Sequence, residues 1–302
     1  MGGSVVVCLL MAVLLIALGD GSRQKSAAGR PARRKHPHPH PAALAMLPGA
    51  PGALPSDHGQ LAAAIDRAQA VIDDRSATSE AIARAGYFEQ LATGAVGRET
   101  LPARRATLAM LSRQAAASMR TNLEAAVALF ELATPRKRLP HWRIVQPPAP
   151  NTLLGYFRAA QSRFGIRWEY LAAIEFIETR FGRVQGLSSA GARGPMQFLP
   201  ATWAQYGSGS IDNQRDAILG AARYLVSNGA PGNMADALYH YNNSREYVSA
   251  VQDYAGRMRA DARALDGYYY WQVLFATTKG SVILPLGYPG VRPVPVAYPL
   301  GR

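Results

Sequence analysis

The sequence predicts an all-α fold that ends in a small β hairpin. Three observations carry this expectation. Apolar residues recur at i, i+3 and i+4 from Leu61 to Met258. The periodic runs open on Ser, Thr, Asp or Asn, and those from Asn151 onward mostly stop at Gly. Alternation of β-branched and aromatic residues begins only after Gly267, in YYYWQVLFATTKGSVILPLGYP.

Residues 4–19 (SVVVCLLMAVLLIALG) are almost purely apolar. The run is short for a membrane span and suits the core of a secretory signal, with Ala17-Leu18-Gly19 as a small-x-small cleavage site. No Lys or Arg precedes it, so residues 1–19 are expected to be either a signal peptide or an uncleaved anchor. Cys8 is the single cysteine and lies inside this run. A chain cleaved after it has no disulfide, thiol nucleophile or Cys-based metal site. Residues 20–55 are rich in Pro, Ala, Arg and His and predict an extended, solvated linker. His36, His38 and His40 alternate with Pro, a polar tether rather than a metal site, and Arg33-Arg34-Lys35 offers a basic contact to anionic wall polymer or lipid.

Residues 56–135 predict a helical hairpin or small bundle. Ser56 or Asp57 caps a first helix through Leu61, Ile65, Ala68 and Ile72, and Thr78 or Ser79 opens a second through Ile82, Ala85, Phe88 and Leu91. A third helical stretch runs from Pro102 to Leu132, with a break expected near Thr121-Asn122. This region shows no chemistry of its own, and packing against the next domain is its expected role. Residues 136–151 are a Pro-rich boundary. Beyond it, residues 150–262 predict a second helical region. Asn151 or Thr152 caps a helix ended by Gly165, a helix from Arg167 to Phe181 ends at Gly182, and Pro200 starts a short one. Asp212 or Asn213, Asn233 and Ser244 cap the last three. Residues 263–302 form a C-terminal extension holding the hairpin.

Composition narrows the partners. Hydrophobic residues are 48% of the 302, enough for a substantial core, and 18% are charged with a net charge of +13. That balance favours nucleic acid, anionic lipid or an acidic cell-wall polymer. No helix-turn-helix, RNA-recognition or basic-helix pattern is present, so nucleic acid is not expected. Nothing resembles an association helix, and a monomer is expected.

Chemistry concentrates between Leu171 and Trp203 (LAAIEFIETRFGRVQGLSSAGARGPMQFLPATW). Glu178 lies next to Ile174 and Ile177 on one helix surface, close to the C-terminus. Apolar surroundings and the negative end of the helix dipole both favour the neutral acid. A neutral acid can protonate a glycosidic oxygen. The competing structural role is a solvated glutamate paired with Arg180 or Arg183. Gly191, Ala192 and Gly194 leave room for a ligand close to the backbone, Ser188 and Ser189 offer hydroxyls, and Gln197 is polar between Met196 and Phe198. Tyr239, Tyr241, Asn242 and Asn243 make a second polar-aromatic cluster at a helix end.

These strings resemble the motifs of lytic transglycosylases, the enzymes with a lysozyme-like (SLT-type) catalytic domain that cleave the glycan of peptidoglycan. The first motif, Glu then Ser or Thr then an aromatic, matches Glu178-Thr179 and Phe181. The fuller string Glu178-Thr179-Arg180-Phe181-Gly182-Arg183 is similar to the membrane-bound B type. Gly-Leu-Met-Gln matches Gly194-Pro195-Met196-Gln197 with Pro in place of Leu, and Ala-Tyr-Asn matches His240-Tyr241-Asn242 with His in place of Ala. The N-terminal helices and the tail resemble those of secreted actinobacterial members. The resemblance implies an α+β lysozyme-like catalytic domain over about residues 150–262.

It also implies a one-acid reaction without metal or cofactor. Glu178 protonates the oxygen between MurNAc and GlcNAc, and the MurNAc 6-hydroxyl closes on C1 to give a 1,6-anhydro product. Tyr241 orients Glu178 or the leaving oxygen. Ser188, Ser189, Met196, Gln197 and Asn242 are carried over as substrate-binding residues, with peptidoglycan strands as partner and the cell envelope as location. Two alternatives stay open. A goose-type-lysozyme-like hydrolase would need a second carboxylate, for which Glu175, Asp212 and Asp216 are the candidates. A non-catalytic wall-binding module would keep the groove and lose the reaction.

Overall fold

The computed structural model describes residues 53–296. The predicted export segment at 1–19 and most of the 20–55 linker lie outside the described residues. What is described is helical, with a few short antiparallel strands, in agreement with the predicted class.

The N-terminal helices are α1 (His58–Asp73), α2 (Ser79–Arg98), α3 (Leu101–Met110) and α4 (Arg113–Glu131). Each starts where a side chain can hold its first free amides: Asp57, Thr78, Thr100 and Ser112 accept from Gln60, Ala81, Ala103 and Ala115. The break expected near Thr121-Asn122 falls instead at Leu111-Ser112. Ser112 supplies a cap there, whereas Thr121 satisfies its hydroxyl on the Ala117 carbonyl and lets the helix continue.

Strand β1 (Arg143–Ile144) leads into α5 (Pro150–Phe164). Neither predicted cap operates at α5. Ala149 is the capping position, and Pro150 starts the helix by supplying a fixed φ and needing no partner for an amide. Helix α6 (Trp168–Thr179) is the centre of the molecule, with every residue from Leu171 to Thr179 buried. A helix apolar on all sides must be enclosed by others. Around it stand α5, α8 (Gln214–Ser227), α10 (Arg245–Ala260) and α11 (Ala264–Tyr269). The short helices α7 (Pro200–Tyr206) and α9 (Met234–Tyr241) pack on α8, and α9 also on α10.

Phe176 shows how tightly α6 is held. Phe181, Tyr254, Tyr268 and Trp271 surround it with ring centroids at 5.5, 4.9, 4.7 and 5.6 Å. Each such pair contributes about 0.5–1.5 kcal/mol beyond the area it buries. The same core takes in Ala125 and Leu129 of α4 and the aromatics of α11, so the N-terminal helices share the core of the second region.

A polar network crosses that boundary. Arg257 of α10 pairs with Glu89 of α2 at 2.6 Å and reaches Gln69 of α1 at 3.2 Å and Asn122 of α4 at 3.4 Å. Tyr268 donates to Asn122 at 2.6 Å and Trp271 to Glu89 at 3.2 Å.

The predicted hairpin is present, as β3 (Val273–Thr277) and β4 (Gly280–Leu284), paired from Val273↔Leu284 to Thr277↔Gly280. It starts later than the pattern suggested, because Tyr268 and Tyr269 finish α11 and bury their rings in the core. Strand β5 (Val294–Pro295) adds to β4. Leu54 and Val296, near the two ends of the described chain, pack on one apolar cluster with Leu61 and Tyr87. Among the described residues no helix is long and apolar enough to cross a membrane.

Candidate active site

Helix α6 ends earlier than its glycine suggested. Thr179 is its last residue, and Arg180, Phe181 and Gly182 follow with φ of 53°, 62° and 79°. Two non-glycine residues in the left-handed region cost about 1–3 kcal/mol each, so the surroundings must impose the turn. The Arg180 and Phe181 amides fold back onto the Glu175 carbonyl. Arg180 lies over the Phe176 ring at 4.2 Å, and Arg183 donates to the Tyr269 carbonyl at 2.9 Å. The turn carries the chain into β2 (Val184–Gln185), which pairs with β1.

Glu178 therefore sits in the last turn of α6, with only 1% of its surface exposed. Its Oε1 accepts a hydrogen bond from the Tyr247 hydroxyl at 2.9 Å. Its Oε2 is buried with no hydrogen-bond partner among the described residues. Burial pushes the carboxyl up to about 8, against a smaller downward pull from the Tyr247 hydrogen bond. Glu178 is thus a neutral acid at neutral pH, with one oxygen held and the other unpartnered.

The loop after β2 is built from its own side chains. The Ser188 hydroxyl accepts from the Ala190 and Ala192 amides at 3.2 and 3.0 Å, so it shapes a tight turn. Ser189 is exposed. Two clamps fasten the following segment. Thr179 donates to the Pro195 carbonyl at 2.6 Å, and Tyr241 donates to the Met196 carbonyl at 2.6 Å. Gly194 turns at φ 78°, with the Ile211 carbonyl oxygen in the place a Cβ would need. Gln197 has φ 49° and is fully buried; its amide nitrogen donates to the Gly194 carbonyl at 2.9 Å while Oε1 finds no partner among the described residues. Asn242 ends α9 and is buried.

The structure thus brings Glu178, Met196, Gln197 and Tyr241 together around the two clamps. Of the two tasks expected for Tyr241, orienting Glu178 or the leaving oxygen, the hydrogen bond to Glu178 is made by another tyrosine. Tyr241 spends its hydroxyl on Met196, and Tyr247, in the first turn of α10, holds Glu178. The rings of Tyr241 and Tyr247 stack, with centroids 6.4 Å apart. A tyrosine three residues after a capping serine has the pattern of ordinary core, so Tyr247 carried no signal in the sequence. Tyr239 is exposed and outside the group.

The other acids have separate duties. Asp212 pairs with Arg193, and Asp216 accepts from the Ser210 amide at 3.0 Å. Glu175 is enclosed in α6 and takes the Gln214 amide. A cavity of about 490 Å³ opens between β2, Pro195 and the start of α8, lined by Gln185, Leu187, Arg193, Asp212 and Gln214; Glu178 does not line it. Among the described residues no group of three or more His, Cys, Asp or Glu is placed to hold a metal ion.

Among known proteins, the chain is similar to the membrane-bound lytic murein transglycosylase F of Thiobacillus denitrificans, 34% identical over 111 residues. The match covers 34% of this chain and 23% of the relative, so the chain spans about a quarter of that protein's length. No family model and no solved structure matches the chain.

Proposed function

We propose that this chain is a lytic transglycosylase of peptidoglycan, working outside the cytoplasm as the apolar start of its sequence suggests. The observation that carries the reading is Glu178, a buried acid with Oε1 held by Tyr247 and Oε2 unpartnered. The similarity to a lytic murein transglycosylase supports it. In the neutral acid Oε1 is the carbonyl that accepts from Tyr247, which leaves the proton on Oε2. That proton passes to the oxygen joining MurNAc C1 to GlcNAc, and the C1–O bond breaks. The MurNAc 6-hydroxyl oxygen bonds to C1, and its proton returns to Glu178. Water takes no part, and the acid ends as it began. Gln197 Oε1, buried and without a partner, is an acceptor suited to the N–H of an acetamido group. Ser188 serves as the builder of the loop, Ser189 is exposed on it, and Met196 is tied to Tyr241, next to Asn242 at the end of α9. Hydrolysis would need a free carboxylate opposite Glu178, and the duties of Asp212, Asp216 and Glu175 weigh against that.

The test is mass spectrometry of products after purified peptidoglycan meets the protein or Glu178→Gln. Muropeptides ending in 1,6-anhydroMurNAc from the wild type alone are the expected result. Reducing ends would replace this reading with a hydrolase, and wall binding without products would replace it with a binding module.

A further inference from the structure

Glu175 is a second buried acid on α6, one turn before Glu178, and the one-acid reaction gives it no task. It is fully buried. Its Oε1 takes a hydrogen bond from the Gln214 side-chain amide, and its Oε2 has no partner among the described residues. A carboxyl is a poor choice for a sealed helix interior. Its surroundings give the reason for it. The same Gln214 amide also reaches the Phe181 carbonyl at 3.3 Å, and Gln214 is the first residue of α8. Gly182 passes so close that a Cβ there would stand 2.5 Å from Gln214 Oε1. One side chain thus ties the interior of α6 to the strained turn that ends it and to the next long helix. The main chain wraps the same point, since the Phe181 amide donates to the Glu175 carbonyl at 3.3 Å.

We infer that Glu175 is a positioning residue for the reaction: through Gln214 it holds the left-handed turn Arg180–Gly182, and the turn fixes where α6 ends and where the Glu178 carboxyl lies against Tyr247. This inference rests on the transglycosylase reading for its activity readout, but the placement of Glu178 is measurable without it. The Glu175 side chain touches no substrate in this scheme. Gln214 faces the 490 Å³ cavity on its outer side, so the strut is also the wall between that cavity and the helix interior.

The experiment compares Glu175→Gln, Glu175→Ala and Gln214→Ala in the whole chain, each checked for helical content by circular dichroism. Two readouts are taken: kcat and KM on peptidoglycan, and the Glu178 titration followed by carboxyl NMR of 13C-glutamate-labelled protein, assigned with Glu178→Gln. Glu175→Gln keeps a hydrogen-bonding group at the turn and should leave kcat within about fivefold and the Glu178 titration in place. Glu175→Ala and Gln214→Ala should lower kcat by about 100-fold with KM within about threefold. They should also move the Glu178 titration down toward the usual carboxylate range, because a loosened end of α6 admits water to the carboxyl and relief of burial, the larger effect, outweighs the lost Tyr247 bond. Unchanged kcat and an unchanged Glu178 titration in the two alanine variants would overturn the proposal. If Glu175→Ala does not fold, Gln214→Ala decides by the same two readouts. If the wild type makes no anhydro product, the function reading fails alone, and the NMR titration still decides the role of Glu175.

Discussion

At the residue scale the molecule turns on the protonation of one side chain. Glu178 has an ordinary value of 4.5 when unfolded and about 8 when folded. The folded chain therefore holds a proton that the unfolded chain gives up, and this group's contribution to stability falls as pH rises from about 4.5 to about 8. Glu178→Gln should then be more stable than the wild type at pH 9, by on the order of 4 kcal/mol, with little difference near pH 4.5. Urea unfolding of the two proteins at both pH values measures this. Activity should follow the acid form and fall as pH rises through about 8. Tyr247→Phe removes a hydrogen bond that lowers the Glu178 value, so the basic limb of the pH–rate profile should move to higher pH. Losing the orientation of the acid should cost about 10- to 100-fold in kcat. A basic limb that stays in place would remove Tyr247 from the mechanism.

At the element scale the loop from Gly194 to Gln197 is held by clamps on two helices as well as by its own Gln197–Gly194 hydrogen bond. Thr179 and Tyr241 both bind its carbonyls, and Gly194 fits against the Ile211 carbonyl in a conformation that L side chains resist. Gly194→Ala should destabilise the protein by about 3 kcal/mol. It should lower activity further than the stability loss explains. Thermal unfolding together with kcat checks both, and a variant as stable as the wild type would show that the backbone there can yield.

The same scale shows what the sequence could reveal. Caps were legible where a side chain does the capping, as at Thr78, Asn213, Asn233 and Ser244. They were not legible at Ala149, where proline geometry starts the helix, nor at Ser112, which competed with a plausible break ten residues on. The end of α6 was misplaced because a glycine usually marks the left-handed residue, and here two larger side chains enter that region first. Glu178 and Gln197 were legible as polar residues in apolar company. Tyr247 and the Glu175–Gln214 strut were not, because each depends on a contact with an element far along the chain.

At the scale of the whole molecule the division into accessory and second helical regions describes the order of the chain more than its physics. Ala125 and Leu129 share a core with α6, and Arg257 reaches across to Glu89. Both partners of that ion pair are buried, so removing one leaves an uncompensated charge. Glu89→Ala should cost about 3–5 kcal/mol, while replacing both residues with apolar ones of similar size should cost much less. A double-mutant cycle by chemical denaturation measures the difference. A double-variant loss equal to the sum of the two single losses would mean that the pair is not coupled.

The meeting of Leu54 and Val296 on one apolar cluster has a topological consequence. Within the described residues, the path begins and ends on the same cluster. A flexible linker between those ends, with new termini opened at the exposed Thr278-Lys279 turn, would leave every helix and both clamps of the site uncut. The order in which the helices leave the ribosome could then be rearranged while the acid, its tyrosine and the strut behind it kept their places.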